Sequence, residues 1–299
     1  MDAAFRIRFN ALGGQGEVVL SAADEAQAQA LAQRAIDEVL RIEHKYSRYR
    51  PDSVLGQLNA GAGRRAVDCD TETLSLFAFA DTLYADSDGL FDISSGVLRR
   101  AWNFSAPRLP SAAELAPLLA LIGWPRVQRE GRQVFLPVSG MEIDFGGFGK
   151  EYAADRAATQ LAEQGVRHGY VNLAGDIRVL GPKPNGEPWT IGIQHPRQPG
   201  KLVASLALSQ GGLATSGDYE RSFEIAGQRY CHVLNPRDGW PVRFWRSVSV
   251  LAPLAVAAGS IATIAMLKQA EGLGFLQDSA MPYLAIDLNG ALHRSAAPT

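Results

Sequence analysis

The stretch Asp144-Phe-Gly-Gly-Phe-Gly-Lys150-Glu151-Tyr152-Ala-Ala-Asp155 sets a glycine cluster directly before an alanine-rich helical pattern. Glycines let a backbone approach a ligand closely, and the first turn of a helix offers unpaired N–H groups at its positive end. The junction therefore suits an anion such as a pyrophosphate. Lys150 opposes the helix dipole, and a diphosphate with its metal would give it a reason to be there. Other segments carry residue types fit for a planar, phosphorylated ligand but read equally well as turns. Ser47-Arg-Tyr49-Arg-Pro-Asp52-Ser53, running on to Asn59, offers an aromatic face and an amide. Gly89-Leu90-Phe91-Asp92-Ile-Ser94-Ser95-Gly96 passes for a loop, and Asn172-Leu-Ala-Gly-Asp176 for a tight turn after a strand.

These segments need elements to hold them. Glu17–Leu20 reads as a strand, and after the candidate caps Ser21 and Asp24 the residues Leu31, Ala35, Ile36, Val39 and Leu40 recur at helical spacing. A second helix is expected after Asp70, burying Leu74, Phe77, Ala78 and Leu83, and a third over roughly Lys150 to Gln164, stopped by Gly165. Strand-like runs follow at Gly169–Asn172, Asp176–Leu180, Trp189–Ile193, Leu202–Leu208, Ser222–Ile225 and Gln228–Leu234, with Gly227 turning the last two into a hairpin. Without a steady alternation of strand and helix, the pattern predicts an α+β fold, not a doubly wound parallel sheet.

At 299 residues the chain has ample core material for a single domain or two intimately packed subdomains. With 29 basic and 31 acidic residues and no basic block, the charge balance gives no case for a nucleic-acid partner. Cys69 and Cys231 stand far apart and suggest neither a zinc site nor a disulfide framework. Ser247 to Leu267 carries no charge and is long enough to span a bilayer. Its alternating first half and Pro253 predict a buried strand followed by a helix instead, so no transmembrane segment is expected. The start, Met1-Asp-Ala-Ala-Phe-Arg-Ile-Arg-Phe-Asn, has neither an apolar h-region nor a lipobox cysteine, and a cytoplasmic location is the expectation.

Three segments, in their order and spacing, resemble the ApbE family of flavin transferases: the glycine cluster from Asp144, Ala214-Thr-Ser216-Gly217-Asp218-Tyr219, and Tyr230-Cys-His232-Val-Leu234-Asn235-Pro-Arg237-Asp-Gly239-Trp-Pro241. The resemblance runs from about Leu12 to about Leu267 and implies one ApbE-like domain over residues 1–299, with mainly antiparallel sheets packed by helices. It implies an FAD:protein FMN transferase, moving FMN from FAD to a threonine hydroxyl of a target flavoprotein with release of AMP. Carried over residue by residue, it implies flavin-nucleotide contacts from Tyr49, Asn59, Leu90, Phe91, Asp92, Asp144, Lys150, Ser216, Gly217, His232 and Leu234. Mg²⁺ would be held by the Gly147 carbonyl and Thr263. His232 is the one of five histidines within a family motif, and it titrates near neutrality, so it is the group expected to take the hydroxyl proton.

Three positions depart from the family pattern. Ala174 replaces a glycine, and Asn235 replaces the usual aspartate, which removes a charged orienting partner without removing the turn. The largest departure is Gly259, four residues before Thr263, where relatives usually carry a metal-binding aspartate on the same helical face. Loss of that carboxylate should weaken the metal site, with Ser260, Glu151 or Asp176 as possible substitutes. It leaves two other readings open: a binding protein that keeps FAD without efficient transfer, and a metal-dependent FAD pyrophosphatase with water as acceptor.

Overall fold

The computed structural model describes residues 3–295; Met1, Asp2 and the last four residues lie outside the described residues, as do those ends of the expected 1–299 domain. Its centre is an eight-stranded sheet in the spatial order Ala3–Ala11, Gly14–Ala22, Gly169–Leu173, Asp176–Gly181, Gly211–Gly217, Trp245–Ala252, Tyr283–Asp287 and Leu292–Arg294. Every neighbouring pair in it is antiparallel. Side chains alternate faces along each strand. Val18 and Leu20 therefore enter the main core beneath the helices, and Val19 enters a second cluster on the opposite side. That opposite side is covered by the hairpin of Trp189–Gln194 and Leu202–Leu208, whose Trp189, Ile191 and Ile193 pack on Ile177, Val179 and Leu213. The mixture of helices with antiparallel sheet is the expected α+β class.

Four long helices lie over the main core. In Glu25–Tyr46, Asp24 is the cap, accepting from Gln27 N; Ala35, Ile36 and Val39 are buried, while Leu40 remains 41% exposed. The helix Thr71–Asp86 is capped by Asp70 and buries Phe77 and Leu83, with Leu74 partly covered and Ala78 outside. Gly149–Glu163 buries Ala153, Ala154, Ala157, Ala158 and Leu161 and ends before Gly165, whose φ of +86° needs no Cβ. Its small residues allow a close approach to the alanine-rich helix Ala255–Lys268. The latter follows strand Trp245–Ala252 across Pro253, and among the described residues no helix is long and apolar enough to cross a membrane.

Several elements that build the sheet and flank the site are absent from the sequence reading. Strand Ala3–Ala11 lies at the sheet edge and alternates cleanly, with Phe5, Ile7 and Phe9 turned to the core between exposed Arg6 and Arg8. The helix Val54–Gly61 hides behind the Pro51-Asp52-Ser53 turn signal, although Ser53 caps it by accepting from Gly56 N. Strand Gly211–Gly217 has a composition poor in strand formers and is held by its two neighbours. Gly212 is required there, because a Cβ would collide with the backbone of Ala255. The C-terminal pair Tyr283–Asp287 and Leu292–Arg294 completes the far edge. The expected strand from Gln228 stops at Cys231, since His232 N turns away to Arg221 O and only Leu234 re-pairs, with Pro241.

The helix Ala255–Lys268 has no cap from its own flank; Leu254 offers no acceptor side chain. The carboxylate of Asp155 accepts from Ala255 N and Val256 N, each at 2.9 Å, and also meets Arg178 Nε at 3.2 Å. Removing it strands two amides at a buried helix start. Asp155→Ala is expected to cost about 2–3 kcal/mol of unfolding free energy, and Asp155→Asn about half of that because one acceptor oxygen remains. Urea titrations should show the midpoint falling with the slope unchanged.

Candidate functional site

The helix Gly149–Glu163 starts without a side-chain cap, Phe148 being its N-cap residue; Gly149 N is bonded to Phe145 O at 2.6 Å, which leaves the amide of Lys150 in the first turn for an external acceptor. Among the described residues no backbone amide is directed at the Gly147 carbonyl. Phe91 covers this turn so tightly that a Cβ at Gly147 would lie 2.7 Å from its ring, and Phe145 and Phe148 pack 4.9 Å apart beneath it. The glycine cluster is thus a thin stretch of backbone stretched over an aromatic floor.

Lys150 reaches across to Asp176, Nζ to Oδ2 at 2.7 Å. Asp176 is 2% exposed, begins the strand Asp176–Gly181 after the Ala174-Gly175 turn, and also accepts from Thr215 N at 3.2 Å. That turn is fixed by Asn172, whose Oδ1 accepts from Gly175 N, and Ala174 supports a φ of +51° despite its side chain. Glu151, the next residue of the helix, is 8% exposed and lies against the Asp176 carboxyl. Burial first, and then the Asp176 charge, raise its pKa well above the usual carboxylate range, against the smaller pull of Lys150. Lys150 itself is raised: the neighbouring Asp176 and Glu151 charges outweigh the desolvation that acts against it.

Ser216 and Thr263 come together, Thr263 Oγ1 donating to Ser216 Oγ at 3.4 Å. They stand on different elements, the strand Gly211–Gly217 and the helix Ala255–Lys268. Gly217 gives room to the ring of Tyr219, and Asp218 forms a two-pronged pair with Arg197 at 2.6 Å per contact, tying this strand end to the loop leaving Trp189–Gln194. On one flank a cleft of about 370 Å³ runs past Asn172, Gly175, Thr215, Tyr219 and Glu220.

His232 leaves the hairpin Ser222–Cys231 as a half-buried imidazole whose Nδ1 is shut off from solvent without a partner. Burial, then the Arg99 and Arg221 charges, draw its pKa down to about 4, and Lys150 adds to the effect. The ring is therefore neutral at pH 7. Asn235 keeps the turn beyond it: Oδ1 accepts from Arg237 N and the backbone bonds to Trp240 and Gly239. Leu234 packs in the cluster of Trp102, Phe223 and Tyr230, and Trp102 Nε1 donates to Gly239 O at 2.7 Å. Arg237 reaches the carbonyl of Asp88, joining this turn to the Gly89–Gly96 loop.

The remaining candidates sit on the other flank. Asp144 accepts from Gly146 N and meets Arg48 Nη1 at 3.1 Å. Arg48 also lies over the ring of Tyr49, which is 75% exposed in a second cleft of about 270 Å³ that Asn59 helps line. Both ends of the Asn59 amide are engaged by the backbone of Ile143, so Asn59 fixes the extended segment before Asp144. Asp92 is likewise committed, accepting from Ser94 N, Ser94 Oγ and Trp124 N; Leu90 is buried beside it. Sequence reasoning missed Arg48 and Arg197. Arg48 lies inside a singled-out segment, but its partner is 96 residues away.

Among the described residues no group of three or more His, Cys, Asp or Glu side chains stands ready as a metal site. A cation here would draw on hydroxyls, a carbonyl and the phosphates of its ligand. The available donors, Thr263, Ser216, the Gly147 carbonyl and the Glu151–Asp176 carboxyls, are all oxygens and suit a hard divalent ion. Ser260 adds a buried Oγ that lacks a partner.

A sequence profile described as the ApbE family matches residues 1–285. An FAD:protein FMN transferase of Klebsiella pneumoniae (strain 342) is 33% identical over 219 residues, 72% of this chain and 67% of that protein. One from Vibrio cholerae serotype O1 is 28% identical over 272 residues, 88% of this chain and 80% of the relative. The crystal structure of an ApbE protein from Thermotoga maritima superposes with a TM-score of 0.90 at 30% identity, covering 98% of this chain and 97% of that one. The apo flavinyl transferase ApbE of Pseudomonas stutzeri gives 0.87 at 26%, covering 98% and 95%.

The depressed pKa of His232 has a consequence for stability. Above about pH 6.5 the ring is neutral in both folded and unfolded chains. As pH falls from there to about 4 only the unfolded chain gains the proton, so stability is lost through that window. Unfolding free energy of the wild type should therefore drop more steeply than that of His232→Asn, by at most roughly 1.4 kcal/mol per pH unit. Denaturant titrations of both proteins from pH 7 to 4 give the comparison, and parallel curves would contradict the burial of a neutral imidazole.

Proposed function

The chain belongs to the ApbE family, and we propose from that membership that it is an FAD:protein FMN transferase acting on a threonine of a partner flavoprotein. The observation that carries the reading is the convergence of a helix start without a side-chain cap, Lys150, the Ser216–Thr263 pair and a neutral His232. The Lys150 side chain and backbone amide fit the diphosphate of FAD. The exposed ring of Tyr49 offers a face for a planar heteroaromatic group, and Phe91 closes the pocket below Gly147. Asn59 and Asp92 contribute by fixing backbone, since their side chains are already bonded within the protein.

In this reading the threonine oxygen of the partner attacks the FMN phosphorus of FAD. The new P–O bond forms as the bridging P–O bond to the AMP phosphate breaks, and the hydroxyl proton passes to the imidazole of His232. Anionic phosphates beside the ring would favour its protonated form and so offset the effect of Arg99 and Arg221. Mg²⁺ held by Thr263, the Gly147 carbonyl and the diphosphate would supply neutralisation of the charge that develops on phosphorus and on the departing AMP.

Incubation with FAD, Mg²⁺ and a flavoprotein fragment, followed by intact mass measurement and nucleotide chromatography, tests the reading. The fragment should gain the mass of FMN as AMP appears. Free FMN with AMP and no labelling would make the protein a pyrophosphatase, and unchanged FAD would make it a binding protein. In the same assay His232→Ala is expected to keep FAD affinity within about threefold while transfer falls by roughly 10²–10⁴. An unchanged rate would make the histidine structural.

A further inference from the structure

Gly259 marks the point where the helices Gly149–Glu163 and Ala255–Lys268 contend for one volume. A Cβ placed there would collide with Glu151 Oε1 and stand 2.7 and 2.8 Å from its Cγ and Cδ. The outer half of the Glu151 side chain therefore fills the space that a side chain at position 259 would enter. The register that brings this about is set by Asp155, bound to the amides of Ala255 and Val256. Glu151 lies one turn before Asp155 on its helix, and Gly259 lies one turn after Ala255 on the other, so the two helices run antiparallel in steps of four residues. One more step along both chains aligns Gly147 with Thr263.

Within this ladder Glu151 has another acid, the Asp176 carboxyl, as its hydrogen-bonding neighbour. Lys150 pairs with Asp176, and among the described residues Glu151 has no salt-bridge partner of its own. A carboxylate shut away from water without a counter-charge is unfavourable unless a cation or donors complete it. Ser260, next to Gly259, is also buried with an unpartnered Oγ. A buried carboxyl oxygen, an unpartnered hydroxyl, the Gly147 carbonyl and the Thr263 hydroxyl thus belong to the same short stretch of the helix pair.

We infer that Glu151 is a metal-ligating carboxylate of this chain, delivered from the helix Gly149–Glu163 into the gap left by Gly259 to join Thr263 and the Gly147 carbonyl around a hard divalent cation. The inference rests on the transferase reading for the FAD diphosphate that completes the coordination. It also reverses the expectation drawn from Gly259 alone: the carboxylate is present, on the neighbouring helix.

The test is Mn²⁺ binding followed by electron paramagnetic resonance, with and without saturating FAD, alongside FAD titration by fluorescence in metal-free buffer. Glu151→Gln should weaken Mn²⁺ at least tenfold and leave metal-free FAD affinity within about threefold. The double variant Glu151→Gly/Gly259→Asp, which returns the carboxylate to the other helix, should recover Mn²⁺ affinity to within about threefold of wild type. Gly259→Asp alone should not tighten Mn²⁺, because its side chain meets that of Glu151. Unchanged Mn²⁺ affinity in Glu151→Gln overturns the inference, and so does a folded double variant that fails to bind Mn²⁺. If Glu151→Gln does not fold, the double variant decides alone. Wild type that binds Mn²⁺ through Glu151 but does not bind FAD would keep the metal site and remove the transferase reading.

Discussion

Two amides at the start of the helix Ala255–Lys268 have no acceptor in their own flank, and the carboxylate of Asp155 accepts from both across 100 residues of sequence. Burial raises the pKa of Asp155, which means that the protein holds a desolvated acid for the sake of this junction; the two amides and Arg178 act in the opposite sense. What the junction fixes is the sliding register of two helices made mostly of small residues. Such helices have few large knobs to lock them, so a polar contact at one end has to determine how they lie. Every oxygen near the presumed phosphate site that comes from either helix takes its position from that one contact.

The charge arrangement follows from the same closeness. Asp176, Glu151 and Lys150 occupy a space too small for three independent ions, and the lysine satisfies only one of the two acids. His232, nearby, is held neutral by burial first and then by the charges of Arg99 and Arg221. A polyanionic ligand entering here would meet an ammonium, a helix-start amide and an imidazole able to accept a proton, a combination that favours negative charge without requiring a strongly basic surface. This is consistent with a chain whose overall charge is only −2.

Much of this was legible in the sequence, and the reasons for the rest are specific. The helix from Gly149 announced itself by its glycine cluster and alanine spacing, and the hairpin turn by Gly227, whereas the positive φ of Ala226 beside it had no signal in its residue type. The class of fold followed from the lack of strand–helix alternation. The central strand Gly211–Gly217 was hidden because its residues are chosen for closeness to Ala255, not for strand propensity. Asn59 and Asp92 were visible as polar residues, but their commitment to Ile143, Ser94 and Trp124 depends on partners brought near by folding. Gly259 was visible as a departure, while its meaning lay in a side chain more than a hundred positions earlier. Spacing reports neighbours along one helix; it is silent about what a second helix places in the same volume.

The order in which the chain is made gives the Asp155 junction one more significance. During synthesis the helix carrying Asp155 and Glu151 emerges well before the strand and helix of residues 245–268 that complete its surroundings. Until then the middle of the sheet lacks a strand, and two acids and a lysine have no lid. The nascent chain must therefore keep an incomplete, water-filled half-site in solution through much of its elongation, and it can acquire ligand only near the end. Premature termination before Thr263 should yield a chain that has spent most of its translation and lacks the hydroxyl that faces Ser216.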